Sequence, residues 1–223
     1  MIPGSCTFTF QQHTFWLLPQ KMVFWEQEKT LLVSDLHFGK DDSIRRAGSY
    51  MPVVDNQPAF DVLSQSIQSL GARRIMMLGD LFHDKASLSP SVLQSMHRWR
   101  NAHRDISMLL VRGNHDIKSG DPPDMFGIEV VDEPYEEQSL RFSHQPMYSE
   151  THFTFCGHLH PGVVLIGKGR QFLKAPCFFA ENNCMILPAF GSLTGTMALK
   201  PGRNSSVFVV TGTSVVAMST DGK

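Results

Sequence analysis

Five short polar pieces of the chain carry side chains that could act together: Asp35-Leu36-His37, Gly79-Asp80, Gly113-Asn114-His115-Asp116, His144 and Gly157-His158-Leu159-His160. The sequence has ten histidines, and six fall in or beside these pieces, counting His83, which follows Asp80 by three residues. Imidazole, carboxylate and amide carbonyl are the donors expected around manganese, iron or zinc. None of the pieces contains a thiolate, which argues against a structural zinc finger. Asp35, His37, Asp80, Asn114, His144, His158 and His160 make seven candidate ligands. That is too many for one tetrahedral ion, but it suits two ions sharing a bridging carboxylate. A single His or Asp-x-His is ordinarily a satisfied core or surface residue. Here all five pieces occur in one chain.

Elements of regular structure must bring these pieces together. Residues 6–35 read as short strands, because TFTF, TFWLL, MVFWE and TLLVSD are rich in β-branched and aromatic residues between polar breaks. Phe60, Leu63, Ile67 and Leu70 recur at helical spacing over 56–70, with Gly71 placed as a C-cap. Residues 88–104 predict a second helix with Leu88, Val92, Met96 and Trp99 on one face. RRIMMLGD, SMLLVRGNHD, RFSHQP and FTFCGHLH each read as an apolar strand ending in a polar tip, and SVFVVTGTSVVAMS as a hairpin turning at 211–213. In the i, i+2 pairs Asp35/His37 and His158/His160, strand alternation would point both side chains the same way. Loops beyond the carboxyl ends of successive strands are where α/β folds gather ligands.

The 223 residues suit one domain over 1–223. Hydrophobic residues at 42 %, charged residues at 18 % and a formal charge of −1 describe an ordinary globular chain, neither disordered nor strongly basic. No apolar run is long enough to span a bilayer, and the N-terminus lacks the features of a signal peptide, so cytoplasm is the expected compartment. The four cysteines form no Cys-x-x-Cys pair and read as free thiols. The methionines, Trp16, Trp25, Phe178 and Phe179 read as core, and Phe38 as packing beneath the site.

The order D-x-H, G-D, G-N-H-D, H, G-H-x-H resembles that of the calcineurin-like metallophosphoesterases. DLHFGK, IRRAG, SHQP, GHLHP, LKAPCF and LPAFGSLTG narrow the resemblance to the bacterial ICC-like phosphoesterases, the ligase-associated DNA damage response endonucleases of the PdeM group. GDLFH is also similar to double-strand-break repair nucleases of that superfamily. The resemblance implies an α/β (α+β) fold in which two mixed β-sheets pack as a sandwich flanked by helices, with the metals at one end. It implies that Asp35, His37 and His160 hold one ion, that Asn114, His144 and His158 hold the other, and that Asp80 bridges. His115 would protonate the leaving oxygen or stabilise phosphoryl charge, Asp116 would hold its ring, and His83 would sit behind the site or touch substrate. The implied reaction is phosphodiester hydrolysis by in-line attack of a metal-bridging hydroxide, with manganese favoured over iron or zinc. The implied setting is DNA repair, in functional association with a DNA ligase and a helicase. The oligomeric state is left open.

Lys40, Arg45 and Arg46 follow the first metal piece and are the candidate contacts to the DNA backbone; Lys85, Arg112 and Lys118 are weaker ones. The acidic stretch 132–137 should lie away from such a groove. Two other readings stay open: the same chemistry on a small nucleotide or other phosphoester, and a non-catalytic scaffold. An enclosing lid would favour a small substrate, and only 117–140 is long enough to form one. A scaffold has no physical need for seven intact ligand positions.

Overall fold

The computed structural model describes residues 1–166, 169 and 171–218. The first sheet has strands in sequence order. β1 (Cys6–Phe10), β2 (His13–Leu17), β3 (Val23–Trp25) and β4 (Thr30–Val33) form an antiparallel meander. β4 then continues in parallel with β5 (Arg74–Leu78), β6 (Ser107–Val111) and β7 (Glu129–Val131). The crossovers between parallel strands carry α1 (Lys40–Arg46) and α2 (Gln57–Leu70), then α3 (Pro90–Ala102), then α4 (Asn114–Ser119).

The second sheet contains β8 (Tyr135–Glu137), β9 (Leu140–Phe142), β10 (Phe153–Cys156), β11 (Pro161–Ile166), β12 (Phe172–Glu181), β13 (Cys184–Ile186) and β14 (Met197–Ala198), in the order β14-β11-β12-β13-β10-β9-β8. The hairpin β15 (Ser206–Val210) and β16 (Val215–Met218) joins it along β12. β10 runs parallel to both β9 and β13, while β11 to β12 and β12 to β13 are antiparallel, so this sheet too is mixed.

The apolar runs of β4, β5 and β6 are continuous because both of their faces are covered. Leu32, Met76 and Leu109 point between the sheets and meet Phe142, Phe155, Phe178 and Met185. Leu31, Ile75 and Leu110 point the other way, onto Phe60 and Leu63 of α2 and Val92, Met96 and Trp99 of α3. The helices therefore flank the first sheet. The outer face of the second sheet builds a smaller core of its own from Cys156, Val163, Cys177, Phe179, Ile186 and Val207.

Gly71 caps α2 in the left-handed conformation as expected, and Ser89 caps α3 through its side chain. Two elements differ from the sequence reading. The polar segment after β6 is not a loop but the start of α4, and α1 has no apolar periodicity to announce it. Residues 117–140 form no lid, because β7 and β8 tie that segment to an edge of each sheet. All four cysteines are free, Cys156 and Cys184 facing each other at 3.5 Å between sulfurs. No helix among the described residues is long and apolar enough to cross a membrane.

Candidate metal centre

The strand exits of both sheets converge on one point. β4 delivers Asp35 and His37, β5 delivers Asp80, and β6 delivers Asn114; β9 delivers His144, and β10 delivers His158 and His160. Ligand atoms of Asp35, His37 and His160 lie within 4.8 Å of one another, as do those of Asp35, Asp80 and His144. His160 Nε2 is 3.2 Å from Asp35 Oδ1. His144 Nε2 is 2.9 Å from Asn114 Oδ1 and 3.0 Å from His158 Nδ1, which completes the second cluster. Asp80 Oδ2 stands between the clusters, 3.6 Å from His37 Nε2 and 3.5 Å from His144 Nε2.

The convergence does not come from strand alternation. Asp35, His37, Asp80, His158 and His160 all lie past their strands and all have positive φ, between 47° and 69°. Left-handed backbone is uncommon for residues with a side chain and persists where surrounding structure over-determines it. Here it is held by hydrogen bonds that prolong the parallel pairing of β4 with β5: Asp35 N–H donates to Gly79 O, His37 N–H to Asp80 O and Phe38 N–H to Leu81 O. From the other side, the N–H groups of Phe190 and Gly191 donate to Ser34 O and Asp35 O. That contact gives LPAFGSLTG a physical role that its residue types did not suggest. Phe38 packs beneath the site as expected, stacked on Phe60 at 4.7 Å.

Gly79 illustrates how closely the pieces approach. Its φ is +80°, and a Cβ there would overlap the His144 ring. Gly157 is bare for a similar reason: a Cβ would press on the Asp35 carboxylate.

The donors fit divalent cations. Asp35 and Asp80 are buried carboxylates, with imidazole nitrogens of His160, His37 and His144 3.2–3.6 Å from their oxygens. Burial holds the His37 pKa down at about 3 and lowers that of His158, so both rings are neutral at neutral pH, as ligands must be. Burial raises the Asp80 pKa. Burial acts the same way on Asp35, but the hydrogen bond to His160 and the charges of His160, His144 and His37 together outweigh it, and the net shift is downward.

His115 stands beside this cluster, with Nε2 4.0 Å from Asp80 Oδ2 and Nδ1 2.5 Å from the carbonyl oxygen of His83. The rings of His83 and His115 stack at 4.3 Å. His83 thus lies behind His115, and burial lowers its own pKa to about 4.

Asp116 requires a correction. It does not hold the His115 ring. Its Oδ2 accepts N–H bonds from Asp80 (2.7 Å) and Gly113 (2.8 Å), and its Oδ1 accepts one from Leu81 (3.0 Å). It fastens two metal loops to each other. Burial, foremost, raises its pKa to about 6 against those three donors.

The basic residues divide. Lys40 is half-buried at the edge of the cluster, where burial lowers its pKa while the charges of Asp80 and Asp35 act in the opposite sense. Arg46 is exposed. Arg45 is committed elsewhere, to Asp41 (2.9 Å), to Asp42 and to the carbonyl of Pro52 (3.0 Å). Arg112 is likewise paired with Asp121 and Asp132, while Lys85 and Lys118 are exposed. The acidic stretch 132–137 is not remote from the site, since Glu133 Oε2 accepts the N–H of His144 at 2.8 Å.

Comparison with known proteins bears on the family of the chain. The family model for the calcineurin-like phosphoesterases matches residues 28–178. The crystal structure of the Pseudomonas putida nuclease MPE is similar over 96 % of this chain and 100 % of that one, with a TM-score of 0.82 and 30 % identity. The E. coli phosphoesterase YfcE covers 84 % of this chain and 96 % of its own, with a TM-score of 0.42 and 13 % identity. No curated protein matches. With the family model covering well over half its length, the chain belongs to the calcineurin-like phosphoesterases.

Proposed function

We propose that the protein is a manganese-dependent phosphodiesterase that cleaves DNA as an endonuclease in repair. The observation that carries the two-metal part is the place of Asp80, whose Oδ2 faces both clusters at 3.5–3.6 Å. Asp35, His37 and His160 would hold one cation, and Asn114, His144 and His158 the other. Iron and zinc also suit this set, and its share of hard oxygen donors favours manganese. When bound, two such cations offset the charge of a phosphodiester and lower the pKa of a water nucleophile.

The protein's own groups do the rest. A carbonyl oxygen can only accept, so His115 Nδ1 must carry a proton toward His83 O. This leaves Nε2 as the working atom facing the centre. With that nitrogen protonated, His115 can donate to the leaving oxygen or stabilise the phosphoryl charge. His83 positions it through its carbonyl and its stacked ring. Asp116 fixes the backbone that carries both His115 and Asp80. Lys40, at the edge of the cluster, and the exposed Arg46 would meet DNA phosphates.

DNA as substrate draws support from the likeness to a nuclease along nearly the whole chain. The absence of a lid over 117–140 also favours an open substrate. In this reading the protein works in the cytoplasm, and its association with a ligase and a helicase is one of shared process. The test is turnover with added manganese on closed circular DNA beside a small chromogenic phosphodiester, with His115→Ala as the contamination control. Cutting of the circle by the wild type alone is the expected result. Hydrolysis of the small ester with intact circles would move the substrate to a small phosphoester.

A further inference from the structure

Beside the metal centre, on the α1–α2 side, lies a half-open cavity of about 570 Å³ that no step of the reaction above uses. Its volume falls within the range of about 300–1,000 Å³ usual for small-molecule sites. Three features bear on what it holds. The first is continuity: His37, a candidate ligand, and Lys40 both line it, so whatever occupies it adjoins the cations.

The second is chemistry. Leu36, Phe38, Val62 and Phe190 give it a mainly apolar wall, while Asp55 and Asn56 stand on its margin with carboxylate and amide groups. Lys21, also in the lining, gives one of its three donors to Phe190 O at 2.9 Å. A flat, largely apolar group with polar edges satisfies such a surface; an inorganic ion does not. The third is that the outer wall is built. Buried Asp41 accepts the N–H of Val54 at 2.9 Å, and Arg45, clasped by Asp41, donates to Pro52 O. The segment from Pro52 to Val54 is thereby held with Val54 in the wall of the recess.

We propose that this cavity receives the nucleoside next to the phosphate being cleaved, with its base on the apolar wall and its sugar toward Lys40. The proposal rests on the DNA-cleaving reading and adds to it a subsite. It assigns Arg45 and Asp41 the part of shaping that subsite, in place of a phosphate contact.

The test compares inhibition of small-diester turnover by thymidine 5′-monophosphate and by inorganic phosphate. Base burial of this kind is worth about 1–3 kcal/mol, so the nucleotide should inhibit at about tenfold lower concentration than phosphate. Ala59→Phe, which grows into the recess from α2, should bring the ratio of the two inhibition constants to about one. Ser192→Trp, on an exposed loop of the same lining, does the same without a core change. Saturation-transfer NMR with thymidine on the metal-free protein gives a second readout: a signal in the wild type, lost in both variants. Equal inhibition by phosphate and nucleotide in the wild type, or a ratio that survives both substitutions, overturns the proposal. Failure of the DNA reading looks different: circles remain intact while the tenfold advantage of the nucleotide persists.

Discussion

The candidate metal centre contains two turns of the same design, one from each sheet, and they are not equivalent. Asp35-Leu36-His37 leaves β4 and His158-Leu159-His160 leaves β10; in both, the first and third residues are left-handed and a leucine lies between. The first turn is buried throughout, at 0 %, 4 % and 5 % exposure, with backbone bonds from the first sheet below and the 190–191 segment above. The second is half-exposed throughout, and its His158 N–H donates to the Asp35 carboxylate. The buried turn is a fixed frame and the exposed one docks onto it. The same local conformation is thus a piece of core in one place and a rim in the other, and substitutions should separate the two.

The largest effect is expected at Asp35, which serves the frame, stands near donors of both clusters (3.2 Å from His160, 4.0 Å from His144) and anchors the second turn. Asp35→Asn should abolish turnover and leave the protein without bound manganese by elemental analysis; a variant holding two ions would break the comparison. Asp80→Asn should also abolish turnover, because the bridging charge is gone. His115→Ala comes next, with both ions retained and a rate loss of about 10²–10⁴-fold. Loss of metal there would make His115 a ligand.

Gly79→Ala should cost roughly 1–2 kcal/mol from the left-handed backbone alone and push His144 aside. Metal analysis should then find the cluster of Asp35, His37 and His160 loaded and the other depleted. His160→Gln, on the exposed turn, should weaken manganese binding while moving the apo melting temperature by no more than about 2 °C. A large loss of apo stability would mean that the second turn is also frame. The smallest effect belongs to Arg46→Ala, a modest weakening of DNA cleavage with the small diester unaffected. Arg45→Ala should instead disturb whatever depends on the 52–54 wall, and loss confined to DNA phosphate affinity would restore it as a backbone contact.

Much of this was legible in the residues. Seven donors of suitable type at suitable spacing announced the centre, and β4, β5 and β6 announced themselves by apolar runs that proved to be covered on both faces. What stayed hidden has specific causes. Left-handed conformation at Asp35 or His160 is imposed by distant backbone partners, and side chains with a Cβ do not advertise it. Helix α1 is short, and its order owes more to Asp41, Asp42 and Arg45 than to an apolar stripe. Asp116 follows His115 in sequence, which invited a pairing of side chains; its carboxylate instead turns back to backbone N–H groups some 35 residues away. The segment 187–195 acts through main-chain atoms, which any sequence possesses.

Ligands drawn from loops of both sheets have a consequence for the life of the chain. The first four candidate ligands precede Gly120 and the last three follow Gly127, so neither half of the polypeptide holds a complete cluster. A chain interrupted before His160, or cut between the sheets, carries only part of the donor set. Closure of the site requires long-range contacts, of the kind that slow folding. For a DNA-cutting protein this ordering is a safeguard: no copy that ends before the second sheet is armed, and cleaving activity waits for donors from both sheets.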